Sequence, residues 1–172
     1  MTMKSNNQGE VVGTAYHEAG HAVVAIVRGR TPILVTIIPD GPVAGRNEFL
    51  EDWLPQFNRY LGESPEKRTY IETRVLIALA GSLAHSLQNP SRILDVGDFS
   101  DFKYARDIIK ERACWAESFR DRYCLRLKIQ ANRLLKKNWL WVEAVSVALL
   151  EKKTLIGEDI ERLRPNSEAA QT

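Results

Sequence analysis

Several things are scarce in this sequence, and each scarcity excludes something. There are two cysteines, Cys114 and Cys124, in no CxxC arrangement; that is too few for a disulfide framework. Both read as reduced thiols in or near a core, in a reducing compartment. No apolar run reaches the roughly 18 residues that a bilayer-spanning helix needs. Residues 1–10 are polar with no apolar stretch, so they read as a flexible N-terminus and not as a secretory signal. There is no GxGxxG and no Gly-Lys-Ser/Thr phosphate loop, so ATP binding in this chain is not expected. Charge of one sign is also missing: 24 Lys+Arg stand against 22 Asp+Glu, a net +2. Nothing in that balance draws the chain to nucleic acid. The expectation is a cytoplasmic globular chain whose 172 residues form one domain.

What is present is mostly helical. Thr14 reads as the N-cap of a helix reaching about Arg28 and stopped by Gly29, since Thr caps and Gly terminates. Residues 33–38, a β-branched run closed by Pro39, Asp40 and Gly41, predict a strand and a turn. Residues 43–66 read as a loop with room for one short second strand. From Glu66 to Gln88, Ile71, Val75, Leu79 and Leu83 recur at helical spacing, with Ala80, Gly81 and Ala84 as a small-residue face and Asn89-Pro90 as the stop. Residues 90–99 read as an acidic loop and Ser100 as the cap of the next helix. Residues 119–152 predict one bent helix or two, joined near Asn138, followed by a short helix from Gly157 and a flexible tail over 165–172. Trp53, Trp115, Trp139 and Trp141 read as packing residues.

Within the first helix lies His17-Glu18-Ala19-Gly20-His21. Residues four apart share a helix face, so two imidazoles there can grip one zinc ion, with the intervening carboxylate placed to take a proton from an activated water. Chance alone produces such a match in roughly one chain of this size in a few hundred. Gly20 costs about 1 kcal/mol mid-helix relative to Ala, which predicts close approach of another element. Two histidines do not complete a catalytic zinc site, which usually has three protein ligands. The candidates are His85 and the cluster Asp95, Asp98 and Asp101. His85 reads as a supporting or substrate-holding group. Asp101, near a helix start that favours an ionised carboxylate, serves equally well as a ligand or as a charge on the helix end.

Five segments in order resemble the peptidase domain of the FtsH family of ATP-dependent zinc metalloproteases. They are residues 14–25 (TAYHEAGHAVVA), 35–39 (VTIIP), 78–87 (ALAGSLAHSL), 97–101 (GDFSD) with Ala105, and 148–155 (ALLEKKTL) followed by Gly157-Glu158. The resemblance spans about residues 11–164. It implies a mainly α zinc-peptidase domain with a small β element, and an edge strand near 33–38 that binds substrate. It also implies His17, His21 and Asp101 as zinc ligands and Glu18 as the catalytic base. The chain departs from the family at His85-Ser86, where an acidic pair is usual, and at Val96-Gly97-Asp98-Phe99, where Thr-Gly-Ala-Ser is usual. The family's membrane segments and ATPase module precede this domain, and neither is found in the sequence.

The function expected from these observations is a stand-alone, ATP-independent zinc endopeptidase acting on unfolded or flexible polypeptide, with homo-oligomerisation open. The rival is a zinc-binding regulatory or adaptor module that has lost turnover. A deformylase-type HExxH enzyme would need a cysteine ligand, and neither Cys114 nor Cys124 has the context for it.

Overall fold

The computed structural model describes residues 3–50, 64–93, 96–112 and 117–166. Trp53, Cys114, Trp115 and Asp95 lie outside the described residues, as does the tail from 167 onward.

Helix α1 spans Met3–Val27. Ala15, Ala19, Ala22, Val23 and Ala25 are fully buried along it, the spacing of a core-facing helix stripe. The helix starts well before Thr14. Thr14 is not its cap: the hydroxyl donates to the Glu10 carbonyl at 3.0 Å, bonding back one turn inside a continuing helix. The C-terminus is a Schellman turn. Gly29 takes φ 76°, its N–H donates to Ile26 O at 2.9 Å, and the Arg30 N–H reaches back to Ala25 O at 2.8 Å.

Three short strands, β1 (Leu34–Thr36), β2 (Arg46–Glu48) and β3 (Thr154–Ile156), form an antiparallel sheet in the order β2-β1-β3. Val35 pairs with Asn47 on one side and Leu155 on the other. This corrects the expectation of an edge strand near 33–38. The strand there is central: Ile33 N–H donates to Glu48 O at 2.8 Å and Ile37 N–H to Lys153 O at 2.9 Å. The chain returns through β3 to cover the flank that was expected to be open, so among the described residues the sheet edges fall to β2 and β3. The second strand for which residues 43–66 left room is β2.

Helix α2 (Pro65–Gln88) begins one residue before the expected start and ends at the expected Gln88. Ser64 accepts the Lys67 N–H on its side chain and Pro65 occupies the first turn. Its small-residue face meets α1. A Cβ built on Gly20 would lie 2.5 Å from Ala84 Cβ and 2.7 Å from Ala80 O, so the two helices nearly touch and Gly20 is the residue that allows it.

Helix α3 spans Val96–Arg112, starting a turn before the expected cap. Ser100 lies inside it, donating to Gly97 O at 2.8 Å. Helices α4 (Glu117–Lys137) and α5 (Trp139–Lys152) divide at Asn138, and the last helix is α6 (Gly157–Arg162). α1 packs between α2 and α5, while α3 and α4 cover α2. The core between them includes Leu76, Leu79, Leu127, Leu135, Trp141 and Leu149, all fully buried; each contributes about 1.5–3 kcal/mol through removal from water. Trp141 donates its indole N–H to Ile160 O at 2.8 Å, and Trp139 stacks on Tyr16 with 5.7 Å between ring centroids.

Candidate metal centre

His17 and His21 lie one turn apart on α1, their rings at 80° with centroids 4.7 Å apart. Their Nε2 atoms are 3.0 Å from each other. Asp101, on α3, brings Oδ2 to 3.3 Å from His17 Nε2 and 3.5 Å from His21 Nε2. Among the described residues these three form the group of potential ligands close enough to share one ion. Bonds of about 2.0–2.2 Å in a tetrahedral arrangement separate ligand atoms by roughly 3.3–3.5 Å. The observed triangle fits that size, and two imidazoles with a carboxylate leave a fourth position for water, as a catalytic zinc site does. The donor set therefore fits zinc.

The surroundings orient each donor. His21 Nδ1 donates to Ile77 O at 2.7 Å, which fixes the tautomer and aims the Nε2 lone pair at the centre. The His21 ring lies over Gly81, where a Cβ would come within 2.2 Å of Nε2. Asp101 Oδ2 accepts the Ser82 hydroxyl at 2.8 Å. Burial opposes charge on His21, but its hydrogen bond to Asp101 and the Asp101 and Glu18 charges outweigh this and push it up to about 9. Burial likewise resists ionisation of Asp101, but the His21 hydrogen bond and the histidine charges bring its carboxyl below the usual range. A metal cation held by this group would take the place of the His21 proton, the exchange expected at imidazole–carboxylate sites.

Glu18 is buried beside the group, at 5% exposure. Burial raises its carboxyl above the usual range; the His21 charge and an Asn47 hydrogen bond oppose the rise without cancelling it. Asn47, on β2, donates its side-chain N–H to Glu18 Oε2 at 2.6 Å and also reaches the Glu18 carbonyl at 3.2 Å. Gly45 passes so close that a Cβ there would lie 2.8 Å from both Glu18 Cγ and Oε1. Asn47, Gly45 and Ser82 escaped the sequence reading. Gly45, a glycine in a turn-rich stretch, carried a faint signal; Asn47 and Ser82 carried none.

The other candidates separate. Asp98 is fully buried and pairs with Arg92 at 2.5 Å, a contact that ties the start of α3 to the segment after α2 and points away from ligand duty. His85 stands outside the ligand group: its ring covers Gly13, where a Cβ would come within 2.2 Å of His85 Nε2. Cys124 is a partly buried free thiol whose burial pushes its pKa up, the mark of an unreactive cysteine.

The group opens into one long cleft of about 1640 Å³, lined by His17, Glu18, His21, Asn47, His85 and Asp101 among others. Curated relatives share this stretch of chain. An ATP-dependent zinc metalloprotease FtsH of Pelobacter propionicus is 35% identical over 61% of this chain and 16% of its own length. One of Magnetococcus marinus is 37% identical over 59% of this chain and 14% of its own. One of Mycoplasmopsis synoviae is 25% identical over 88% of this chain and 28% of its own. This chain carries an FtsH-type peptidase region. No family model matches it. The FtsH-type region accounts for under a third of the length of each of those relatives. Among the described residues no helix is long and apolar enough to cross a membrane.

Proposed function

We propose that this chain is a zinc metalloendopeptidase that hydrolyses peptide bonds in unfolded or flexible polypeptide, with His17, His21 and Asp101 holding the metal and Glu18 as general base. The observation that carries the reading is the convergence of two imidazoles and a carboxylate at about zinc-ligand separation, with a buried glutamate beside them on an open cleft. The names of the FtsH relatives support it. Bound zinc supplies a Lewis acid that polarises the scissile carbonyl and acidifies water.

The chain's own groups do the rest. Asn47 holds Glu18 in one orientation by donating to Oε2. That leaves Oε1 to receive a proton from the attacking water and pass it to the departing amine. The raised carboxyl of Glu18 suits both halves of that relay, because a base closer to neutral returns its proton more readily. Ser82 and Ile77 keep Asp101 and His21 aimed inward. Water attack on a peptide bond uses no nucleotide, so the cutting step itself is ATP-independent.

The test is zinc content and cleavage of an unstructured protein, for the native chain and Glu18→Gln. Zinc bound at one equivalent, with cleavage that falls about 10²–10⁴-fold in the variant, is the expected result. Cleavage retained in Glu18→Gln refutes the assigned base. Zinc bound without cleavage by the native chain favours a regulatory zinc-binding module instead, and absence of zinc removes the site altogether.

A further inference from the structure

The cleft continues past the metal group to an end with different chemistry. Tyr70, Arg74, Ala78 and His85 line it at helical spacing along α2, so one helix face carries it from end to end. Arg74 stands about two turns before Gly81, the seat of the His21 ring, which is roughly 10 Å along the helix axis. That distance is about three residues of extended polypeptide.

Arg74 is held in place by two tyrosines. Its guanidinium donates to the Tyr70 hydroxyl at 3.0 Å and to the Tyr104 hydroxyl. It also lies 5.7 and 5.3 Å from the centroids of those two rings. Among the described residues it has no acidic partner. Arg30, which lines the same cleft, sits at the end of the Schellman turn, 4.8 Å from the Phe49 ring centroid, with Nη2 donating to Leu50 O at 3.4 Å. Burial, and then the nearby Arg74 charge, lower the Arg30 pKa, so the two cations feel one another. Arg30 and Arg74 thus bring two guanidiniums to the lining of the cleft that also holds the metal group.

We propose that Arg30 and Arg74 form a carboxylate-binding subsite that selects polypeptide segments bearing an Asp or Glu about three residues from the cut bond. The inference rests on the peptidase reading above. A planar guanidinium meets a carboxylate through two parallel N–H donors. Two tyrosines that immobilise Arg74 beforehand reduce the ordering cost of binding.

The experiment uses a panel of unstructured peptides identical except for one Glu, stepped through four positions on each side of the cut bond, each with a Gln control. Every peptide is made with a free and an amidated C-terminus. The expected result is one position at which Glu exceeds Gln by about tenfold in kcat/KM, in both terminal forms. In Arg74→Gln and in Arg30→Gln that ratio falls towards one, and Arg74→Glu shifts the preference at the same position to Lys. A preference that follows the free terminus identifies the chain-end carboxylate as the ligand and overturns side-chain selection. Equal cleavage of Glu and Gln peptides at every position, or a preference that survives both arginine substitutions, overturns the subsite. The same peptides are measured by fluorescence anisotropy. If nothing is cleaved, a Glu-over-Gln binding preference lost in Arg74→Gln sustains the subsite while the peptidase reading falls. Equal binding rejects the subsite independently.

Discussion

His21 and Glu18 stand three residues apart on α1, yet different parts of the fold hold them. His21 is seated between helices: the Ile77 carbonyl accepts a hydrogen bond from its Nδ1–H and Gly81 gives its ring room. The third donor, Asp101, comes from α3 and is steadied by Ser82 of α2. Glu18 is held from the other side, by Asn47 on the short edge strand β2 and by the turn at Gly45. The half proposed to bind metal is thus a product of helix packing, where displacement must disturb a dense core. The half proposed to hold the base hangs on a three-residue strand that is, among the described residues, at a sheet edge, where fewer contacts oppose movement. Metal retention and turnover should therefore be separable by substitution.

The largest break is expected at Asp101. Asp101→Ala removes a ligand on the helical side and leaves two imidazoles. Zinc affinity should fall by more than the roughly 10–100-fold typical of outer contacts, and peptide cleavage should vanish with it; zinc titration against a competing chelator measures the loss. Asn47→Leu should cut the other way. It removes the hold on Glu18 and leaves the ligands alone, so kcat/KM should fall about 10–100-fold with one zinc still bound. Loss of zinc in Asn47→Leu would show that the two halves are one unit.

These outcomes bear on what could be read before the fold was known. The His17–Glu18–His21 pattern was legible because all its geometry is local to one helix, and the close approach at Gly20 followed from an otherwise costly glycine. The preference for Asp101 over Asp98 came only through resemblance, since nothing local distinguishes the two; the structure brings Asp101 to the histidines and buries Asp98 against Arg92. Asn47 and Ser82 were invisible, because each is an ordinary polar residue whose partner is brought to it by tertiary contact. Thr14 and Ser100 misled for a physical reason: a hydroxyl that caps a helix in one place bonds back to its own helix in another. The central position of β1 depended on a strand that pairs with it from near the end of the chain.

A third substitution probes the helical half without touching a ligand. Gly20→Ala puts a methyl 2.5 Å from Ala84 Cβ and 2.7 Å from Ala80 O, so α1 and α2 must separate. Overpacking of this kind costs about 1–3 kcal/mol, read as a lowered denaturation midpoint. Because His21 and its seat ride on those two helices, zinc affinity should weaken in parallel. An unchanged affinity would mean the centre tolerates helix separation.

The smallest effect is expected on the opposite face of α2, and it sharpens the comparison because the same helix seats His21. Glu72 accepts from Arg126 at 2.6 Å, Tyr123 at 2.9 Å and Arg68 at 3.3 Å, joining α2 to α4. Burial resists its ionisation, but the hydrogen bonds from Arg126 and Tyr123, with the Arg126 charge, bring its carboxyl below 4.5. A carboxyl depressed in the folded state stabilises the fold above its unfolded pKa, and that contribution disappears as pH falls through the folded value. Glu72→Gln should thus lower stability at pH 7 by about 0.5–1 kcal/mol, the range of a partly exposed ion pair, and the gap from the native chain should close below pH 4.5. Denaturant midpoints at pH 7 and pH 3 measure it. Zinc affinity at pH 7 should not change, because the ligand seats at Ile77, Gly81 and Ser82 lie one to three turns further along the helix. If zinc weakens in Glu72→Gln, the rigidity assigned to the helical half depends on its outer ion pairs as well as on its packed core.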